Sequence, residues 1–487
     1  MFIRRRRAQM LAGLIAAALA AANITLAQTK ATSTEADQQG LSLTVYNSNT
    51  ALVRDIRTLR LPAGNLELQF TDVASQIRPE TVRIVSLTAP KQLSVLEQDY
   101  RYDLLSPARL LQYYVGKQVT LVRQATENNS TKEVTIKATL LSDNGGQVWQ
   151  VGNEIITGMF PGMFPYQYIF PALPPGLYSK PTLVWLLENK NAGEQKLEAD
   201  YMTGSVNWNA DYVLTLPAED AVAGLNSWVT VSNSSGVDFR NIRLQLVAGQ
   251  VHQAVQAPRP VGFGGAMAME AKTAAPGISE EGLSEYHLYT IERPVTLPNN
   301  SSKQIAFVRA GGIKVQKTYE ITGQQYYFYS LYMGGEPAKQ PVEAHLKFRN
   351  SENNSLGVPL PAGTVRVYQA DSNGRMQFVG EDRIPHTPKD EDLNLNIGNA
   401  FDVTADRKQT DFQNLGRDAY ESAFQITIRN HKKTAITVDV NEPVTGTWTV
   451  LQSNYKYEKT SAFSIRFEVP VEADGQSVLN YRVRVHR

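Results

Sequence analysis

Short runs in which apolar and polar residues alternate recur along most of this chain, and that period of two is what most limits its fold. Leu197, Ala199, Tyr201 and Thr203 share one parity, while Glu198 and Asp200 take the other. Trp208, Tyr212, Leu214 and Leu216 then continue on the even positions of a further strand. Just upstream, the apolar run 183–187 is closed by the polar turn from Glu188 to Gly193, as in a buried strand. Alternation sends side chains to opposite faces of a strand, and it cannot draw a continuous apolar stripe on a helix. The stretch 183–216 therefore reads as a hinge between a preceding compact region and a long run of β structure. It organises a fold and carries no chemistry of its own.

The same pattern sets the expected organisation. Residues 41–180 read as an N-terminal β region, with strands around Leu41, Leu66 and Val82 and one convincing helix. In that helix Ser106 suits the N-cap, Pro107 the first turn, Leu110 and Leu111 the apolar side, and Gly116 the stop. Val134, Ile136, Ala138 and Leu140 alternate with polar residues, and Asp143-Asn144-Gly145-Gly146 makes a tight hairpin. A helix followed by several short strands suggests a small SH3-like or Sm-like barrel. Residues 181–310 read as a β-sandwich, with 228–231 and 242–247 paired across the turn at 233–236. It is interrupted by a flexible Ala/Pro/Gly insertion at 252–282. Residues 311–487 read as a C-terminal β-sandwich with an immunoglobulin-like antiparallel pattern, as in Phe463, Ile465, Phe467 and Val469. The expected class is all-β.

The first residues suggest an address. Arg4 to Arg7, the apolar run to Ala22 and Thr25-Leu26-Ala27 have the layout of a secretory signal peptide spanning 1–27, with 28–40 as a disordered polar leader. The residues after the arginines favour the general secretory route over the twin-arginine one. Periplasmic or extracellular localisation follows as an expectation. Cysteine is absent, so neither disulfides nor a lipid-anchored cysteine is available, and the cores alone must hold the fold. Lys and Arg number 48 against 47 Asp and Glu, with no dense basic cluster in the mature part, which argues against nucleic acid as a partner. No second apolar stretch is long enough for a transmembrane segment in the mature chain.

The segments YNSNTALVRDIR, FPALPPGLYSKPTLVWLLEN, VNWNADYVLTL, PLPAGTVRVYQADSNG and ITIRNHKKTAITVDV, taken together, resemble a family of exported bacterial proteins. That family carries a C-terminal domain of unknown function (domain-of-unknown-function 4139) shared with mucoidy-inhibitor-A-like proteins. The likeness runs from about Leu41 to Arg487. It implies an exported all-β protein and brings no catalytic residues.

Sequence signatures of chemistry are sparse. Nucleophile-elbow, P-loop, dinucleotide and His-Glu-x-x-His motifs are missing. Ser453 and Lys456 fit a Ser-x-x-Lys form but lie between strands. His386, near Asp390 and Asp392, is the most suggestive histidine for a divalent cation, although a solvated turn explains the segment more simply. Tyr326 to Tyr329 read as a strand whose aromatics face alternate sides. The stretch 158–178 holds five prolines and a Gly-Met-Phe-Pro repeat, so it reads as an irregular loop. Its Phe160, Phe164 and Tyr166 form either a packed plug or a partner contact. No catalytic, cofactor-binding or metal residues are assigned, and no cofactor is expected. The expected function is a non-enzymatic cell-envelope protein that binds or scaffolds, with an envelope protein or a glycan as partner. The alternative is a carbohydrate-active or other hydrolase with an inter-domain cleft.

Overall fold

The computed structural model describes residues 29–127, 130–157, 167–218, 222–249, 251, 278–331 and 336–486. The expected signal peptide and the residues Phe160, Phe164 and Tyr166 lie outside them. The protein is all-β: strands dominate, and Pro107–Tyr113 is the one α-helix among the described residues. The chain divides into two compact units that are discontinuous in sequence, so they do not coincide with consecutive segments. Residues 51–205 dominate the first unit, and 206–233 with 243–487 dominate the second. Within the stretch 183–216 the chain passes from the first unit to the second after Ser205, which adopts φ 61°, and it returns to the first at Ser234–Ile242.

In the first unit, a four-stranded sheet runs in the order Thr29–Ser33, Gly64–Phe70, Thr182–Asn189, Leu93–Arg101. The expected leader is thus corrected: Thr29–Ser33 is a strand, paired in parallel with Gly64–Phe70. Its side chains are too polar to signal burial, but backbone pairing does not depend on them. The apolar run 183–187 is buried as expected except at Leu186, with Trp185 at zero exposure and its indole N–H donating to Gln98 Oε1 at 2.8 Å. Full burial of a side chain this large stabilises by roughly 3 kcal/mol or more.

The helix Pro107–Tyr113 starts as its sequence dictates: Ser106 Oγ accepts the Arg109 N–H at 3.2 Å, Pro107 occupies the first turn, and Leu111 is buried. The five strands beside it form an open sheet in the order Glu154–Thr157, Val148–Val151, Ser130–Ser142, Gln118–Glu127, Gln167–Ile169. The expected barrel is not closed. Among the described residues Glu154–Thr157 and Gln167–Ile169 are the two edges of the sheet and are not paired with each other. Part of the proline-rich stretch joins this sheet. Gln167–Ile169 pairs with Gln118–Glu127, Tyr168 stacks on Trp149, and Phe170 packs on Tyr114.

The second unit holds the sandwich. One sheet orders Asp392–Asn399, Glu343–Arg349, Gln316–Thr322, Ile436–Pro443, Ser464–Val471 and Tyr457–Ser461. The facing sheet orders Ala338–Gln340, Val403–Gly416, Ala419–Asn430, Gly475–His486 and Thr447–Ser453. Phe424, Ile426, Ile428, Val438, Val440, Phe467, Val469 and Val483 meet between them. Two further corrections belong here. Gln325–Phe328 is a 3-10 turn, not a strand, so the adjacent Tyr327 and Phe328 are both buried while Tyr326 is exposed. The strands Val222–Asn233 and Phe239–Ala248 are not partners. The former pairs with Val206–Leu216 and Ser301–Lys314, and residues 245–248 of the latter pair with 287–290. No helix among the described residues is long and apolar enough to cross a membrane.

Candidate functional site

A cavity of about 190 Å³ in the second unit gathers the chemistry that sequence spacing scattered. His287 and His386 both line it, with Glu285, Tyr289 and the segments around Leu360 and Thr387. Each histidine is held by local backbone logic. The strands Ile278–Leu283 and Tyr286–Ile291 form a hairpin, so the insertion expected over 252–282 gives way to a strand at Ile278. In that hairpin His287 stands opposite Gly282, which has no side chain. Glu280, two residues on, is therefore its diagonal neighbour on the same face. The gap lets His287 Nδ1 reach Glu280 Oε1 at 2.7 Å, and the Glu280 side chain is only 2% exposed.

His386 follows the end of the strand Met376–Ile384 and precedes Thr387, which is bonded through its backbone N–H and C=O to Leu360 at 2.9 Å each way. The Ala362 N–H then donates to His386 Nδ1 at 3.1 Å. Gly249 closes another wall at φ 130°. A Cβ there would lie 2.5 Å from the Tyr286 ring, so only glycine fits.

These contacts fix the imidazole polarity. An ionised carboxylate only accepts, so His287 donates through Nδ1 and, when neutral, offers a lone pair at Nε2. His386 accepts at Nδ1, so its proton sits on Nε2 and that atom donates. Among the described residues neither Nε2 has a protein partner. Partial burial of the ring, and then the repulsion it would meet from His287 were both rings protonated, hold His386 below the ordinary imidazole range. The nearby hydroxyls are already engaged: Tyr289 donates to the Pro359 carbonyl at 3.2 Å and Thr387 to the Pro385 carbonyl at 2.9 Å. The site thus sets one donor and one acceptor among prolines and a tyrosine ring, without an activated hydroxyl nucleophile.

The other sequence candidates fall elsewhere. Asp390 is engaged through its backbone N–H with the Asn350 carbonyl at 2.7 Å, and Asp392 pairs with Arg349 at 3.4 Å. No group of three or more His, Cys, Asp or Glu able to hold a metal is present among the described residues. Ser453 Oγ donates to the Tyr455 carbonyl at 2.7 Å, which leaves its hydroxyl proton unavailable to Lys456. Sequence reasoning singled out His386 and missed His287 and Glu280. They come to one face through a hairpin that turns at Ser284, left-handed in the structure, and whose register the sequence did not disclose.

Comparison with known proteins adds one finding. No curated protein matches the chain. The family described as Domain of unknown function (DUF4139) matches residues 197–484, a segment that includes Glu280, His287 and His386. Because that segment is more than half of the sequence, the chain belongs to this family.

Proposed function

We propose that this is an exported cell-envelope protein, akin to mucoidy-inhibitor-A-like proteins, that binds a small neutral ligand without transforming it. The observation that carries this reading is the pair of imidazole Nε2 atoms of opposite polarity on one cavity, neither with a partner among the described residues. A ligand amide or a pair of sugar hydroxyls offers the complementary acceptor and donor, and the proline and tyrosine walls suit its C–H faces. The signal-peptide layout of the first 27 residues supports export to the periplasm or beyond. Calorimetric titration with N-acetylglucosamine, and with acetate as an anionic control, tests the site. The expected result is binding of the amide probe that His386→Phe weakens at least tenfold, with acetate binding weaker at pH 7.5. Equal heats from wild type and His386→Phe would sink the reading.

A hydrolase is the second reading, favoured by the His287–Glu280 contact, since a carboxylate that orients an imidazole can prepare it as a general base toward water. Turnover of nitrophenyl esters or glycosides that disappears in His287→Gln would establish it in place of the first.

A further inference from the structure

The first unit carries a second, unrelated surface. A wide, open groove of about 730 Å³ is lined by Tyr100, Arg101, Tyr102, Asp103, Arg109 and Tyr178. Tyr100 and Tyr102 stack with ring centroids 5.4 Å apart and 28° between planes. The inner ring is fixed, because Tyr100 Oη donates to the Ala74 carbonyl at 3.1 Å. The outer one is presented, because Tyr102 is 68% exposed. An exposed tyrosine braced on another ring is a flat apolar platform already held in place.

The polar wall is equally pre-set. Arg101 Nη1 donates to Tyr178 Oη at 2.7 Å, and its guanidinium sits 5.6 Å from the centre of that ring. Arg109 Nε and Tyr113 Oη donate to the two oxygens of Asp103 at 2.6 and 2.7 Å. These contacts hold the Asp103 carboxyl below its usual range, first through Tyr113 and then through Arg109. Both arginines lie against acids, Arg101 against Asp99 at 3.4 Å and Arg109 against Asp103, so the groove carries little free positive charge.

We infer that this groove binds a neutral polysaccharide, one sugar ring lying flat on Tyr102 and its hydroxyls meeting the Arg101 and Tyr178 groups. Three features select this ligand class. An exposed aromatic face matches the C–H face of a pyranose, while fixed planar donors at its edge match ring hydroxyls. The groove is open, which suits a segment of a chain whose neighbours stay in water. Pairing of each guanidinium with a carboxylate removes the electrostatic attraction a nucleic acid requires.

Affinity electrophoresis of the whole chain through gels containing hydroxyethylcellulose, laminarin or dextran tests this directly. Wild type is expected to be retarded by at least one of them. Tyr102→Ala should weaken retardation at least tenfold while leaving the calorimetric response of the second-unit pocket as in wild type, which separates this groove from that pocket. Tyr102 is exposed, so its removal spares the core, and circular dichroism confirms that the variant is folded. Migration of wild type unaffected by all three polymers, or equal retardation of Tyr102→Ala, overturns the inference.

Discussion

Arg57 in the first unit and Arg407 in the second are both wholly buried, yet their charges are met in opposite ways. Arg57 pairs with Asp55, two residues back on its own strand, through Nε and Nη2 at 3.1 and 2.8 Å. The second oxygen of Asp55 receives the Gln38 amide at 3.0 Å, and the guanidinium lies 3.5 Å over the Phe70 ring. Arg407 instead reaches Glu442 on the facing sheet at 2.5 Å and Tyr481 Oη at 3.0 Å. Among the described residues Glu442 Oε2 is buried with no hydrogen-bond partner. Removing ions from water costs several kcal/mol each, and attraction offsets this only where the remaining polar atoms are satisfied. The first pair is nearly complete within one strand and its neighbours. The second forms only when two sheets meet and remains one bond short, so cutting it should hurt more.

The largest expected effect is at the cross-sheet pair. Arg407→Ala should lower stability in urea denaturation by about 3–5 kcal/mol, because it leaves Glu442 charged and alone in the core. Combining Arg407→Met with Glu442→Leu should recover most of that loss. A single variant costing under about 1 kcal/mol would break the comparison. Arg57→Ala should cost less, about 2–3 kcal/mol, because Asp55 keeps its Gln38 contact. A loss equal to that of Arg407→Ala would reverse the ranking. Gly323→Ala sharpens the cross-sheet side, since its Cβ would stand 1.9 Å from Glu442 Oε2. About 1–3 kcal/mol of destabilisation is expected by thermal unfolding, against almost none for Gly311→Ala, where a Cβ meets nothing within 4 Å.

The smallest effect is at His386. Its folded-state pKa is lowered, so below the ordinary imidazole value the unfolded chain takes up the proton more readily. Stability should be complete above that value and fall slightly as pH drops through the lowered one. Comparing wild type with His386→Gln at pH 7.5 and 5.5 reads this difference.

Much of the architecture was legible because strands with one wet face write their burial into every second residue. Leu479, Tyr481, Val483 and Val485 are all buried, as their alternation foretold. The Ser106-Pro107 helix start was equally plain, since capping is chemistry of adjacent residues. Thr29–Ser33 was illegible because a strand held by backbone bonds need not be apolar. The buried arginines had a readable sign: Asp55 and Arg57 occupy the same parity as Val53 and Leu59, on the face that should be apolar. Of the pocket, only His386 stood out, because Asp390 and Asp392 follow it closely in sequence. His287 and Glu280 meet across a hairpin whose register no composition records.

The central claim is that one cavity holds a donating imidazole and an accepting one, and nitrogen NMR of the histidine side chains reads it directly. His386 should show a protonated Nε2 and a bare Nδ1, titrating below the ordinary imidazole value. His287 should be protonated at Nδ1, and N-acetylglucosamine should move both Nε2 resonances. A proton on Nδ1 of His386, or titration above the ordinary value, would contradict the polarity on which the binding reading stands.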